Sequence, residues 1–273
     1  MSTEKVDCVV VGAGVIGLAL ARELARSGRE VIVVEREAAF GSGISSRNSE
    51  VVHAGLYYET GSLKAQLSVR GRQLLYDYCD AHHVATRKCG KLVVATDKTQ
   101  LGTLDRIAAQ AVQNGVKDCS IISGQQAMQL EPELYCEAAL LSPSTGVVDS
   151  HGLMLSLLGE AEEAGAMIAY QSPVGKLVTG SPGLGVCLED EDTPLVYADL
   201  VINAAGFGAI PLLSRSQFNL ACPTQVPAKG NYFKLDGSPP VQRLIYPVPE
   251  EGGLGVHITL DLAGRARFGP DVE

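Results

Sequence analysis

Two rhythms of apolar positions run along the chain, and its opening stretch shows both in succession. Val6 to Val11 is an apolar run broken only by Asp7, as in a strand covered on both faces. Leu18, Leu20, Ala21 and Leu24 then recur at helical spacing, and Val31 to Val34 forms a second apolar run that ends in Glu35. Between the first strand and the helix lies Gly12-Ala13-Gly14-Val15-Ile16-Gly17. Strand, glycine turn, helix, strand and acid in that order predict a dinucleotide-binding βαβ unit.

Each residue type there has a physical reason. Gly12 permits the tight turn off the strand, Gly14 lets a pyrophosphate reach backbone N–H groups with no Cβ in the way, and Gly17 lets the helix lie close on the sheet. The helix N-terminus, the positive end of its dipole, then faces a doubly negative ligand. A carboxylate at Glu35 suits both ribose hydroxyls of an adenosine and repels a 2'-phosphate, which disfavours NADP. The expected cofactor contacts in this unit are Gly12, Gly14, Val15, Ile16, Gly17, Glu35 and Arg36. The unit alone does not choose between FAD and NAD.

Further along, a Gly41-Ser42-Gly43 loop leads into a run that is polar at Ser45-Ser46-Arg47-Asn48-Ser49 and aromatic at Tyr57-Tyr58. Helices are expected over residues 61–84, 99–114, 124–130 and 152–164, and strands over 91–95, 138–142 and 166–170. Residues 174–179 and 185–189 read as a hairpin pair, and 198–203 as a buried strand running into the small-residue turn Ala204-Ala205-Gly206. After Pro211 prolines punctuate the chain, and alternation at 232–235, 243–246 and 255–260 predicts antiparallel strands. The expected architecture is α/β. A Rossmann-like dinucleotide domain with a parallel sheet (residues 1–82 and 145–217) is interrupted by a mainly antiparallel α+β substrate domain (83–144 and 218–273).

Composition narrows the partners. The net charge of −9 comes with no basic block, which argues against nucleic acid. No apolar run reaches the roughly eighteen residues of a membrane helix. The βαβ unit begins within a few residues of Met1, so no signal or transit peptide is expected ahead of it. Seven cysteines, none in a C-x-x-C pair, fit a reducing cytoplasm and leave no metal site to expect.

Three further runs carry a resemblance. The first is Ser46-Arg47-Asn48-Ser49-Glu50-Val51-Val52-His53-Ala54-Gly55-Leu56-Tyr57-Tyr58 with Gly61-Ser62-Leu63-Lys64-Ala65. The second is Lys229-Gly230-Asn231-Tyr232-Phe233. The third runs from Ile245-Tyr246-Pro247 through Gly255-Val256-His257-Ile258-Thr259 to Phe268-Gly269-Pro270. With the βαβ unit they resemble the FAD-dependent oxidoreductases of the D-amino-acid oxidase superfamily, and most narrowly the branch acting on L-2-hydroxyglutarate. That resemblance implies a noncovalent or tightly held FAD and oxidation of L-2-hydroxyglutarate to 2-oxoglutarate by hydride transfer to flavin N5. It implies that Ser45, Ser46 and Arg47 follow the pyrophosphate toward the flavin, and that the loop after Asn48 and Ser49 runs under the isoalloxazine ring. Val174 would flank the adenine, and Ala204, Ala205 and Gly206 would press on the cofactor from the second crossover. Similar proteins continue past Phe-Gly-Pro with a strand and a glycine-containing turn beside the flavin, a segment this chain is expected to lack.

Oxidising a 2-hydroxy acid requires a base near the hydroxyl, and histidine suits that role near neutral pH. His257 is the first candidate and His53 the second. His82 and His83 end a helix, and His151 reads as structural. A dicarboxylate needs cationic or hydroxyl donors at its ends, for which Lys229, Tyr232, Tyr246, Thr259 and Tyr58 are the candidates; Tyr57 could line the same pocket. The electron acceptor is oxygen or a quinone, and a quinone would require peripheral contact at the inner face of a membrane. The rival readings are oxidation of an amino acid or glycerol 3-phosphate, and an inactive FAD-binding fragment. Phosphate is disfavoured because Lys229 and Arg243 are few cations for it.

Overall fold

In the computed structural model, residues 4–216, 218, 220–249 and 255–273 are described. The chain divides into one unit of Met1–Asn48 with Ser150–Val226 and another of Ser49–Asp149 with Pro227–Glu273.

The first unit is built on a six-stranded sheet. The apolar run at its start becomes the strand Lys5–Val11, flanked in parallel by Val31–Val34 on one side and Val196–Asn203 on the other, with Met167–Ala169 beyond Val31–Val34. The hairpin Val174–Gly180 and Gly183–Leu188 completes the far edge in antiparallel pairing. Val11 lies level with both Val34 and Asn203, so the glycine turn, Glu35 and Ala204 all leave the sheet at the same carboxyl edge. Ligands bind at that edge in open α/β sheets. The helix Val15–Arg26 buries Gly17, Leu18, Ala21 and Ala25. It packs beside the helix Ser150–Glu163, where Arg22 Nε donates to Glu160 Oε2 at 2.7 Å. Val6, Val9, Val34, Leu177, Val186, Ala198 and Leu212 form a core of this unit.

The second unit carries a seven-stranded sheet in the order Gly230–Lys234, Ala266–Val272, His257–Leu260, Leu244–Pro247, Lys91–Ala95, Ala138–Ser142, Ser120–Ser123. Its pairings are antiparallel except for Leu244–Pro247, which runs parallel to Lys91–Ala95, in keeping with a mainly antiparallel domain. The helices Leu63–Ala81, Leu101–Gln113 and Gly124–Leu130 belong to this unit.

The division also differs from the sequence expectation. Residues 49–82 and 145–149 fall in the second unit, and 218–226 in the first. The cause is a small sheet in which Val51–Val52 and Thr86–Arg87 both pair with Gly146–Val148. The helix Leu63–Ala81 is held to the same unit by Tyr76, whose hydroxyl donates to the Ser144 carbonyl at 3.1 Å.

Candidate functional site

In the first unit, three segments converge at the carboxyl edge of the sheet. Gly12 adopts φ +104°, and a Cβ there would lie 2.7 Å from the Ala204 carbonyl oxygen. A Cβ on Gly17 would lie 1.9 Å from the Gly12 carbonyl oxygen, and one on Gly14 would lie 3.0 Å from Ser45 Oγ. The turn is therefore made of residues that only glycine can supply in two places, and glycine leaves the backbone bare at the third. Ser45, in the short helical turn Ile44–Ser46, accepts the Val15 N–H at 3.0 Å. Gly206 packs so that a Cβ would touch Ile44 Cδ1 at 3.2 Å, and Ala204 N–H donates to the Val11 carbonyl.

Glu35 is 8% exposed and ties this edge together. Its Oε2 accepts the Ala13 N–H at 2.7 Å and its Oε1 accepts the Glu37 N–H at 2.9 Å. Each oxygen keeps a further lone pair, enough for the two hydroxyls of a ribose. No acidic residue occupies the first turn of Val15–Arg26, so its positive end is left for an anion, with Val15 and the exposed Ile16 at its mouth. Arg36 is exposed and pairs with Glu37 at 3.6 Å. Arg47 Nη1 donates to Ser46 Oγ at 3.1 Å, and Asn48 Nδ2 donates to the Ser45 carbonyl at 2.7 Å. Val174 begins the edge hairpin, half-buried against the core of this unit. Ser49 falls in the second unit.

In the second unit the structure brings most of the remaining candidates into one cluster. His257 is buried at the start of its strand, its ring stacked on Tyr246 at 3.9 Å between centroids and meeting Tyr232 edge-on at 6.2 Å. Its Nδ1 lies 3.1 Å from the Gly255 carbonyl. A carbonyl only accepts, so Nδ1 carries the proton and Nε2 is the free base of the neutral ring. Burial lowers the pKa of His257. Burial, reinforced by the charge of Lys91 and the proximity of His257 and Lys64, lowers that of His53 to about 4. Both imidazoles are thus held neutral at pH 7. Thr259 is buried two residues along the His257 strand, on the same face. Tyr58 is half-buried under the Lys64 ammonium, 4.6 Å from its ring centre.

One member of the cluster, Lys91, comes from outside the residues singled out in the sequence. Lys91 opens a strand whose residues are all buried, and is itself 1% exposed. Its Nζ sits 4.8 Å from the Tyr57 ring centre and 4.6 Å from that of Tyr246. The Tyr57 hydroxyl is buried and, with Arg87 Nε, is one of two such side-chain atoms without a hydrogen-bond partner among the described residues. Burial raises the pKa of Tyr57 and of Tyr246, so both phenols stay protonated. The one available signal for Lys91 was a charge inside a five-residue strand that is otherwise apolar on both faces. Lys229, by contrast, does not join the cluster: its side chain is 73% exposed and lies 3.7 Å from Glu273. His151 stacks on Phe40 and His82 on Tyr78. A cavity of about 350 Å³ in this unit, lined by Arg87, Cys89, Val241 and Arg243 among others, shares no lining residue with the histidine cluster. Among the described residues no group of three His, Cys, Asp or Glu could hold a metal ion, and no helix is long and apolar enough to cross a membrane.

A glycine turn with a buried acid at the carboxyl edge of a parallel sheet, joined in one chain to a unit whose His53 and His257 are held neutral, is the arrangement expected of a dinucleotide-dependent oxidoreductase. The chain belongs to the FAD dependent oxidoreductase family, which it matches over residues 7–273. It is 43% identical to the mitochondrial L-2-hydroxyglutarate dehydrogenase of Arabidopsis thaliana, a match covering all of this chain and 63% of that protein. It is 34% identical to the protein of the same name from Nematostella vectensis, covering 98% of this chain and 62% of that one. The chain thus spans somewhat under two thirds of the length of these relatives. Among solved structures, the FAD-bound, dithionite-reduced L-alpha-glycerophosphate oxidase of Mycoplasma pneumoniae shares the fold. Its TM-score is 0.92 at 24% identity, over 99% of this chain and 72% of that one. FAD is the cofactor of the family, and the cradle of Gly12, Gly14, Gly17, Glu35 and Ser45 fits its ADP half.

Proposed function

We propose that the chain carries out FAD-dependent oxidation of a 2-hydroxy acid, L-2-hydroxyglutarate to 2-oxoglutarate. The carrying observation is the His257 ring, whose Nδ1 is committed to the Gly255 carbonyl and whose Nε2 is left basic beside a second neutral histidine. The names of the relatives above 30% identity support the choice of substrate. Bound FAD would supply the two-electron acceptor for the hydride that leaves C2 as the hydroxyl becomes a carbonyl.

The protein's own part has three elements. Gly12, Gly14, Val15 and Ile16 present backbone and a helix terminus to the pyrophosphate, and Glu35 takes the ribose hydroxyls. Nε2 of His257 takes the hydroxyl proton: the neutral ring has this nitrogen free to accept, and its lowered pKa makes it a weaker base that readily passes the proton on. Tyr232, Tyr246, Thr259, Tyr58 and His53 orient the substrate and keep its surroundings dry.

The test is an absorption spectrum of the FAD-loaded protein under anaerobic conditions. Bleaching of the flavin bands by L-2-hydroxyglutarate and not by its D enantiomer supports the reading. Bleaching only by glycerol 3-phosphate or an amino acid overturns the substrate, and a protein that takes up no FAD overturns the function.

A further inference from the structure

Lys91 presents a physical imbalance. Its ammonium is buried, and the groups closest to it are the faces of Tyr57 and Tyr246. Among the described residues no carboxylate forms an ion pair with it, and the one favourable electrostatic neighbour is the Cys119 thiol, itself held protonated by burial. The hydroxyl of that same Tyr57 is buried with no hydrogen-bond partner. A nearly buried ammonium with no counter-ion and a buried hydroxyl with no partner therefore belong to neighbouring side chains, although buried polar groups are nearly always paired and unpaired ones are costly.

A strand in this position needs no charge for its own stability. Leu92, Val93, Val94 and Ala95 fill the rest of it with apolar side chains, and an unbranched apolar residue would fit the first place at lower cost. What the pair lacks is an anion with at least two acceptor oxygens. We propose that the Lys91 ammonium and the Tyr57 hydroxyl together anchor a carboxylate of the substrate. This deepens the reading above and rests on it for the identity of the substrate. One cation and one neutral phenol match a singly charged carboxylate better than a phosphate, which brings about two charges and three oxygens. In a 2-hydroxy acid the hydroxyl carbon is bonded directly to the carboxyl carbon. Holding the C1 carboxylate beside the charges that bear on His53 and His257 therefore sets the reacting hydroxyl among the two bases.

The experiment measures calorimetric binding of glutarate, a dicarboxylate that cannot be oxidised at C2, to the FAD-loaded protein and to three variants. Lys91→Met and Tyr57→Phe should each weaken binding by about ten- to a hundredfold, as expected for loss of a hydrogen bond to a charged group. Lys229→Met, at an exposed lysine outside the cluster, should leave it unchanged. Tyr57→Phe removes a single hydroxyl, so it remains informative if Lys91→Met fails to fold. Unaltered glutarate affinity in both cluster variants overturns the proposal. So does Lys91-dependent binding of inorganic phosphate in preference to glutarate. The two readings separate cleanly. Lys91-dependent glutarate binding without flavin bleaching by any 2-hydroxy acid upholds the anchor and overturns the oxidation. Bleaching by L-2-hydroxyglutarate with half-saturation unchanged in both cluster variants overturns the anchor alone.

Discussion

Replacing Lys91 by methionine should make the protein more stable while spoiling its ligand site. Burial lowers the Lys91 pKa from 10.5 to about 8, and at about 1.36 kcal/mol per tenfold change in proton affinity this places roughly 3 kcal/mol of penalty on the ammonium form. Opposing it are the contacts with the Tyr57 and Tyr246 rings, each worth about 0.5–2 kcal/mol. Methionine recovers part of that through thioether–aromatic contacts of about 0.3–1.5 kcal/mol. The net expectation is a gain of about 1–3 kcal/mol at pH 7, or roughly 2–10 °C in Tm. The pH dependence follows from the sign. The folded pKa lies below the unfolded one, so the penalty is complete below about pH 8 and is relieved as pH rises toward 10.5. Around the amine, His53 and His257 are already neutral in that window, and burial raises the pKa of Tyr57, Tyr246 and Cys119. Thermal melts at saturating FAD, at pH 7 and pH 10, should show the advantage of Lys91→Met shrinking at the higher pH. Adding glutarate should raise the Tm of the parent and not of the variant. A variant that melts lower at pH 7, or one whose advantage is the same at both pH values, would refute the reasoning.

Four other outcomes are expected. Gly17→Ala places a Cβ 1.9 Å from the Gly12 carbonyl oxygen, whereas Gly14→Ala meets only Ser45 Oγ at 3.0 Å. The first should lose FAD and melt several degrees lower, and the second should fold normally and lose affinity for FAD alone, as read by flavin fluorescence. Ser45→Ala removes the acceptor of the Val15 N–H and should cost about 1 kcal/mol of stability, as loss of a helix cap does. His257→Gln should slow anaerobic flavin bleaching by about 10²–10⁴-fold without loss of bound FAD. His53→Gln should instead flatten the stability profile on its acid side. A His53 pKa lowered to about 4 makes the parent lose stability as pH falls from 6.5 toward 4, and urea titrations across that range read the difference.

The glycine cradle was legible in the sequence because every constraint on it is local. Gly12, Gly14, Gly17 and Glu35 fall within one strand–helix–strand unit, and their spacing encodes their geometry. The division of the chain was not, because it turns on strands of two and three residues that pair Val51–Val52 with Gly146–Val148 across most of the second unit. Strands that short show no period. The strand Ala266–Val272 contains Gly269-Pro270, which reads as a break, and Ser120–Ser123 is too exposed to alternate. In the histidine cluster, His53, His257, Tyr232 and Tyr246 were found because they sit in motif runs. Lys91 was passed over as the opening residue of an apolar strand, since sequence alone does not tell a snorkelling lysine from one whose amine is buried. Lys229 stands in a matching run too, yet the backbone turns its side chain to solvent beside Glu273.

Glu35 has a consequence for redesign. Its carboxylate holds the amide of Ala13 inside the glycine turn and that of Glu37 beyond the strand, in addition to any ribose it meets. On the proposed function, nucleotide preference and stiffness of the turn would both depend on this single side chain. An attempt to admit a 2'-phosphorylated nucleotide by exchanging Glu35 for a small or basic residue would slacken the loop that must grip the diphosphate. Such a redesign has to furnish a substitute acceptor for the Ala13 amide before it changes the charge.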